Sequence, residues 1–264
     1  MIHKRRFMQR LRFLLRSTVW LVLIAGATGA SAAANPDALW QIVHDQCVPN
    51  AQQHSTASPC EAVSLQDGVE KGFVILKDLA GATQFLLIPT ARIPGIESPE
   101  LLAASAPNYW DAAWQARAYV EARARKPLAR DAVGLAVNSA AGRTQNQLHI
   151  HVSCVRPEIR TTLLLHEENI GDGWTPLTVP LGGHEYRVRR AAGPELGEVN
   201  PFKLLADGLP AARQRMGQYA LVVVGATFRD GREGFYLLTH PADPRTGDPG
   251  SGEELLDLDC AQAP

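Results

Sequence analysis

Positive charge is scarce in this chain once its first sixteen residues are set aside. Six of the 26 Lys and Arg lie before Ser17, which leaves 20 against 27 Asp and Glu, a balance of −7. Nucleic-acid binding depends on basic surface to engage phosphates, and that deficit argues against it. A phosphorylated small molecule needs only local positive charge, for which Arg143, Arg156, Arg187, Arg189 and Arg190 are the candidates. The first sixteen residues contain no acid, and Ser17 to Pro36 carry no charge of either sign. A basic start followed by the apolar run from Thr18 to Gly26 reads as an export signal or a membrane anchor. Ala30-Ser31-Ala32 offers a small-residue cleavage site, and the strongly apolar part is short for a span. Residues 1–36 are therefore read as signal peptide or anchor, and 37–264 as the working body. No internal repeat is visible. Cysteine is limited to Cys47, Cys60, Cys154 and Cys260, an even count that suits two disulfides in an exported chain and allows three connectivities. A Cys47–Cys60 bond would close a local loop, and Cys154–Cys260 would then tie the C-terminus to the strand that carries the motif below.

In residues 138–154, Asn-Ser-Ala-Ala-Gly-Arg-Thr-Gln-Asn-Gln-Leu-His-Ile-His-Val-Ser-Cys, polar and apolar positions alternate strictly from Gln147 onward. On a strand, Gln147, His149, His151 and Ser153 share one face, and Leu148, Ile150, Val152 and Cys154 the other. Two imidazoles roughly 6.5–7 Å apart along the strand can then enter one cleft behind a polar, Gly-containing loop. That arrangement suits phosphoryl chemistry, with one imidazole attacking phosphorus and the other serving the leaving oxygen. Two plainer readings compete. A lone His on a half-buried strand is more often a satisfied structural residue. His-x-His is also a metal half-site, but no third ligand stands at a supporting spacing. Cys154 falls on the wrong face for a Cys–His dyad.

The run resembles the signature of the histidine-triad (HIT) superfamily, His-φ-His-φ-His-φ-φ preceded by an Asn and a Gly-rich polar loop. The resemblance makes His149 the nucleophile and His151 the group at the bridging or leaving oxygen, with Asn138, Thr144, Gln145 and Gln147 holding phosphoryl oxygens. Gln147 stands where the family has its first His, and an amide there can still hydrogen-bond. Phe85-Leu86-Leu87-Ile88-Pro89 resembles the family's strand ending in Ile-Pro. Together with Gly72–Leu79, Gly142–Pro157 and Gly183-His184-Glu185-Tyr186, the similarity narrows to the bacterial CDP-diacylglycerol pyrophosphatases, from about Leu39 to Cys260. It implies hydrolysis of a liponucleotide pyrophosphate to CMP and phosphatidate at a membrane surface. No cofactor is required for a phosphohistidine step, while a divalent cation could assist the substrate. It also implies a retained anchor in the bacterial inner membrane, the basic end cytoplasmic and the body periplasmic. A cleaved, soluble periplasmic form is the alternative.

The expected fold is α+β, a HIT-like antiparallel sheet with packed helices behind an N-terminal signal or anchor helix. A short helix starts at Asn35-Pro36-Asp37 and ends before Pro49, and 49–68 reads as loop. Residues 72–79 and 84–89 form a hairpin, 107–125 a helix with Trp110 and Trp114 in the core. Strands follow over 133–138 and 147–155, with a helix over 161–167 and a strand over 185–190. A helix over 201–216 precedes paired strands over 219–228 and 234–240 across Arg229-Asp230-Gly231. A second half of the body could begin near residue 160. Gly182-Gly183 ahead of His184-Glu185 permits close backbone approach, and a neighbouring Glu can orient an imidazole. His44, His54, His166 and His240 have no supporting context, and Glu97 and Asp78 are candidate bases for water. Two rival functions remain: a metal-dependent phosphohydrolase built on the His pair, and a non-catalytic periplasmic binding module.

Overall fold

A computed structural model describes residues 35–261, and the signal or anchor expected over residues 1–36 lies almost wholly outside them. Among the described residues no helix is long and apolar enough to cross a membrane. The first helix begins as expected, α1 (Ala38–Ile42), but does not stop at Pro49. It passes through a π-helical turn (Val43–Cys47) into α2 (Val48–His54). The wider turn shifts the hydrogen-bond register, so Pro49, which has no N–H to give, falls in the first turn of a new α segment.

The described residues form ten strands: β1 (Ala62–Ser64), β2 (Phe73–Lys77), β3 (Phe85–Pro89), β4 (Val133–Val137), β5 (Ile150–Val155), β6 (Thr175–Pro176), β7 (Arg187–Ala192), β8 (Tyr219–Thr227), β9 (Glu233–Pro241) and β10 (Leu256–Asp257). They join one sheet in the order β1-β2-β3-β5-β4-β8-β9-β7-β6, with every pair antiparallel and β10 extending the β3 side of β5. The α+β class is as expected.

Two expected helices are each divided. The 107–125 stretch forms α3 (Tyr109–Gln115) and α4 (Arg117–Ala124), because Arg117 curls back to donate to the Trp114 carbonyl at 2.8 Å and stacks on its ring at 4.4 Å. That carbonyl would otherwise receive the next helical N–H. After α5 (Pro157–Leu165), which starts earlier than expected with Pro157 in its first turn, the 201–216 stretch forms α6 (Pro201–Gly208) and α7 (Pro210–Gln214). Pro210 interrupts the ladder.

One face of the sheet packs against α3, α4 and α6 through Trp110, Trp114, Phe202 and Phe235, all at most 1% exposed. The other face carries two smaller clusters. One joins Val74, Leu86 and Ile88 to Val43 and Val48 of the first helical run, and the other joins Tyr186, Val222 and Leu238 to Ile159 and Leu163 of α5. The register shows what separates them. Leu76, Leu86, His151, Ala136, Val222, Leu238 and Val188 are directly opposed across consecutive strands and form one row. His151 is the polar member of that row. Disulfides Cys47–Cys60 and Cys154–Cys260 fix the first helical run and the C-terminus, and Cys154 lies on the helix-covered face, away from the imidazoles.

Candidate active site

The motif strand is shorter than its alternation suggests: β5 begins at Ile150, so Gln147, Leu148 and His149 precede it. The cause is competition from the segment after β3. Leu148 N–H donates to Ile93 O at 2.6 Å, and the Gln147 amide grips the same segment, donating to Pro89 O (3.0 Å) and Ala91 O (2.8 Å) and accepting from Ile93 N–H (3.3 Å). Both amide protons of Gln147 are thus already given to backbone carbonyls, and its side chain is fully buried.

That kink turns the Gln147 carbonyl onto His149. His149 Nδ1 lies 2.7 Å from it. A carbonyl only accepts, so Nδ1 carries the proton and Nε2 keeps its lone pair. Burial, with the neighbouring His151 in second place, pushes the His149 pKa down to about 4, so the ring is neutral at pH 7. The His151 ring stands 4.9 Å away, centroid to centroid, at 71°. Burial lowers its pKa as well, against the pull of Asp78. Both ring nitrogens of His151 are buried without a hydrogen-bond partner among the described residues. Two carboxylates stand near its Nδ1, Glu253 at 3.4 Å and Asp78 at 3.8 Å. Buried Gln84 donates to both, at 2.9 and 2.6 Å, and so keeps two like charges together.

The imidazoles open on a cleft of about 540 Å³. One wall is apolar, formed by Ala38, Leu39, Ile42, Leu76, Leu79 and Leu86, and the other is polar, with Asp78, Thr144, Gln145 and Glu253. Leu79 at the rim is fully exposed. Gln145 also clamps the start of α1, accepting from Leu39 N–H and donating to Asn35 O, both at 3.0 Å. Asn138 follows β4 two residues beyond Ala136, the strand partner of His151. Its side-chain oxygen accepts from Glu253 N–H (3.2 Å) and Ser251 Oγ–H (3.3 Å), anchoring the turn that carries Glu253.

The five expected arginines do not line this cleft. Arg143 forms a two-pronged pair with Glu97 at 2.6 Å, which also withdraws Glu97 as a base: burial would raise its pKa, but Arg143 holds it below the usual carboxylate range. Arg156 donates to Leu256 O, Arg189 reaches the Trp174 ring, and Arg190 meets Asp172. Lys77 is at the rim, its ammonium donating to the carbonyls of Asp78 and Gly81. Sequence reasoning identified Asp78 but missed Glu253 and Gln84. Glu253 is 102 residues from His151 along the chain, and no local spacing signals it.

The site can therefore present a neutral nucleophilic nitrogen beside a second imidazole and two carboxylates, at the meeting of a polar and an apolar wall. Fold and site together define an α+β protein whose paired imidazoles face a cleft with one apolar and one polar wall. Comparison with known proteins makes the class specific. The sequence model of the CDP-diacylglycerol pyrophosphatase family matches residues 34–264. The chain is 42% identical over 253 residues to the CDP-diacylglycerol pyrophosphatase of Yersinia pestis, covering 96% of this chain and 95% of the relative. This chain belongs to the CDP-diacylglycerol pyrophosphatase family.

Proposed function

We propose that the protein hydrolyses the pyrophosphate bond of CDP-diacylglycerol to CMP and phosphatidate, with His149 as nucleophile on a HIT-like fold. Family membership supports the substrate. The observation that carries the mechanism is the Nδ1–H bond from His149 to the Gln147 carbonyl, which leaves Nε2 unprotonated. Nε2 attacks the phosphorus nearest cytidine, the bond to the bridging oxygen breaks, and its electron pair leaves with phosphatidate. His151, as a neutral N–H donor, hydrogen-bonds that oxygen. Water then attacks the cytidylyl-phosphohistidine, giving its proton to Asp78 or Glu253, and the P–N bond breaks to restore His149. Thr144, Gln145 and Asn138 serve the phosphoryl groups. Gln147 acts through His149 by holding the kink that aims its carbonyl.

The apolar wall suits the diacylglycerol portion and exposed Leu79 suits contact with a membrane surface. Two disulfides accord with a periplasmic body, anchored to the inner membrane through residues 1–36 or released by cleavage of that segment. No cofactor is needed for the phosphohistidine route, and nucleic acid is not a partner.

One observation favours a second reading. Ligand atoms of Asp78, His151 and Glu253 lie within 4.8 Å of one another, a group that takes one imidazole of the pair and leaves His149 out. In that reading these three residues would hold a divalent cation, which would supply Lewis-acid activation of water. Substrate labelled at the cytidine-side phosphorus separates the two. A covalent route leaves an acid-labile labelled adduct that His149→Ala abolishes along with turnover. Chelator-sensitive turnover without an adduct, or more than a few per cent of activity in His149→Ala, rejects the nucleophile. Absence of turnover altogether would favour a binding module.

A further inference from the structure

Away from the cleft, a second group of chemistry-bearing side chains converges between β7, β9 and the loop before β10. Leu181 and His184 close a two-residue hairpin by mutual backbone bonds of 3.0 and 2.9 Å. Gly182 (φ +58°) and Gly183 (φ +92°) occupy its two central positions, where this turn needs positive φ. The turn is also tight against its neighbour: a Cβ at Gly182 would stand 3.2 Å from the Glu254 carboxyl carbon. The hairpin lays His184 flat on His240 of β9, with ring centroids 5.2 Å apart and planes at 9°. Glu254 holds His184 Nδ1 at 2.8 Å and accepts the Tyr186 hydroxyl at the same distance. His184 Nε2 is left facing Asp248, 3.8 Å from its carboxylate, and His240 Nε2 faces the same group at 3.4 Å. Asp248 is itself fixed by the Gly250 N–H at 2.7 Å.

We propose that His184, His240 and Asp248 form a binding site for one divalent ion of the zinc class, oriented by Glu254. The ligand atoms already lie within 4.8 Å of one another, and bond lengths of about 2.0–2.1 Å require tetrahedral ligands roughly 3.3 Å apart. Two imidazoles select a borderline metal over magnesium or calcium, which take oxygen ligands. The Glu254–His184 contact is the carboxylate–imidazole support that metal-bound histidines use to fix tautomer and angle. A plain ion pair would account for His240 and Asp248 but not for His184. That residue already has Glu254, yet a glycine hairpin delivers its other nitrogen to the Asp248 carboxylate that His240 faces. With two of the ligands at least nine-tenths buried and His184 partly open to solvent, the ion keeps a position for water. The site is separate from the catalytic cleft but adjoins it through one 3-10 turn (Gly252–Leu255), in which Glu253 faces His151 and Glu254 faces His184.

Chelator-stripped full-length protein titrated with cobalt(II), followed by its visible absorption and by zinc competition, tests the site. One equivalent of cobalt should bind and be displaced by one of zinc. His184→Ala and Asp248→Asn should each weaken binding at least about tenfold, and Glu254→Gln about 10–100-fold. Glu253→Gln should leave it unchanged. Thermal melts would show that the variants fold, which is expected for His184→Ala because that side chain is partly exposed. No stoichiometric cobalt signal in the wild type overturns the proposal. So does a signal lost in Glu253→Gln but kept in His184→Ala, which puts the ion at His151.

Discussion

His149 binds its proton far less readily in the fold than out of it, and that difference is measurable without any substrate. The unfolded chain has the ordinary value near 6.5. Burial moves it down to about 4 in the fold. Between these values the unfolded chain takes up a proton that the folded chain refuses, so stability is fully present above about pH 6.5 and declines as pH falls toward about 4. For this one group, linkage gives a loss of about 2 kcal/mol between pH 7 and pH 5. His151, lowered in the same direction, adds to the wild-type slope but remains in a variant at position 149. Urea unfolding of wild type and His149→Gln at both pH values isolates the contribution. The wild type should lose about 2 kcal/mol more than the variant over the interval. For His149 as the proposed nucleophile, the same reasoning predicts that kcat/KM shows no acidic limb near pH 6.5 from that residue. Parallel stability loss in the two proteins would refute the account of a nitrogen kept neutral by burial.

Other perturbations reach different parts of the molecule. Gln84→Leu removes the amide that bridges Asp78 and Glu253. The loss of hydrogen bonds to charged groups predicts a kcat about 10–100-fold lower with KM little changed, read by steady-state kinetics. Leu39→Asp on the apolar wall should raise KM for long-chain substrate about tenfold and spare a short-chain analogue; equal effects on both would remove the acyl chains from that wall. Replacing Cys154 and Cys260 together by Ser opens a bond spanning 106 residues, and chain entropy predicts a loss of about 4–5 kcal/mol in chemical unfolding. A loss under about 1 kcal/mol would mean that the strand and the C-terminus are held by packing instead.

Much of the architecture was legible in the order of residues. The antiparallel pairing of 72–79 with 84–89, and of 219–228 with 234–240, follows from apolar runs separated by Gly-containing turns. Pairing of Cys154 with Cys260 was one of three options, and only the fold selects it. Sequence periodicity failed where side chains compete for backbone groups. Arg117 splits a helix by taking the Trp114 carbonyl, and Gln147 ends a strand by gripping the loop after β3.

For the candidate site, the sequence by itself determined the residue types: a His-x-His pair, a preceding Asn and a polar loop, enough to suggest phosphoryl chemistry. Tertiary structure alone decided their electrostatics. Which nitrogen of His149 is free depends on a carbonyl turned by a kink, and the carboxylates beside His151 come from positions 78 and 253. Arg143, expected near phosphate, is instead committed to Glu97. Local pattern encodes which face a residue takes, because strand geometry repeats every two residues. Proton affinity depends on burial and on charges a few ångströms away, and those neighbours arrive from anywhere in the chain.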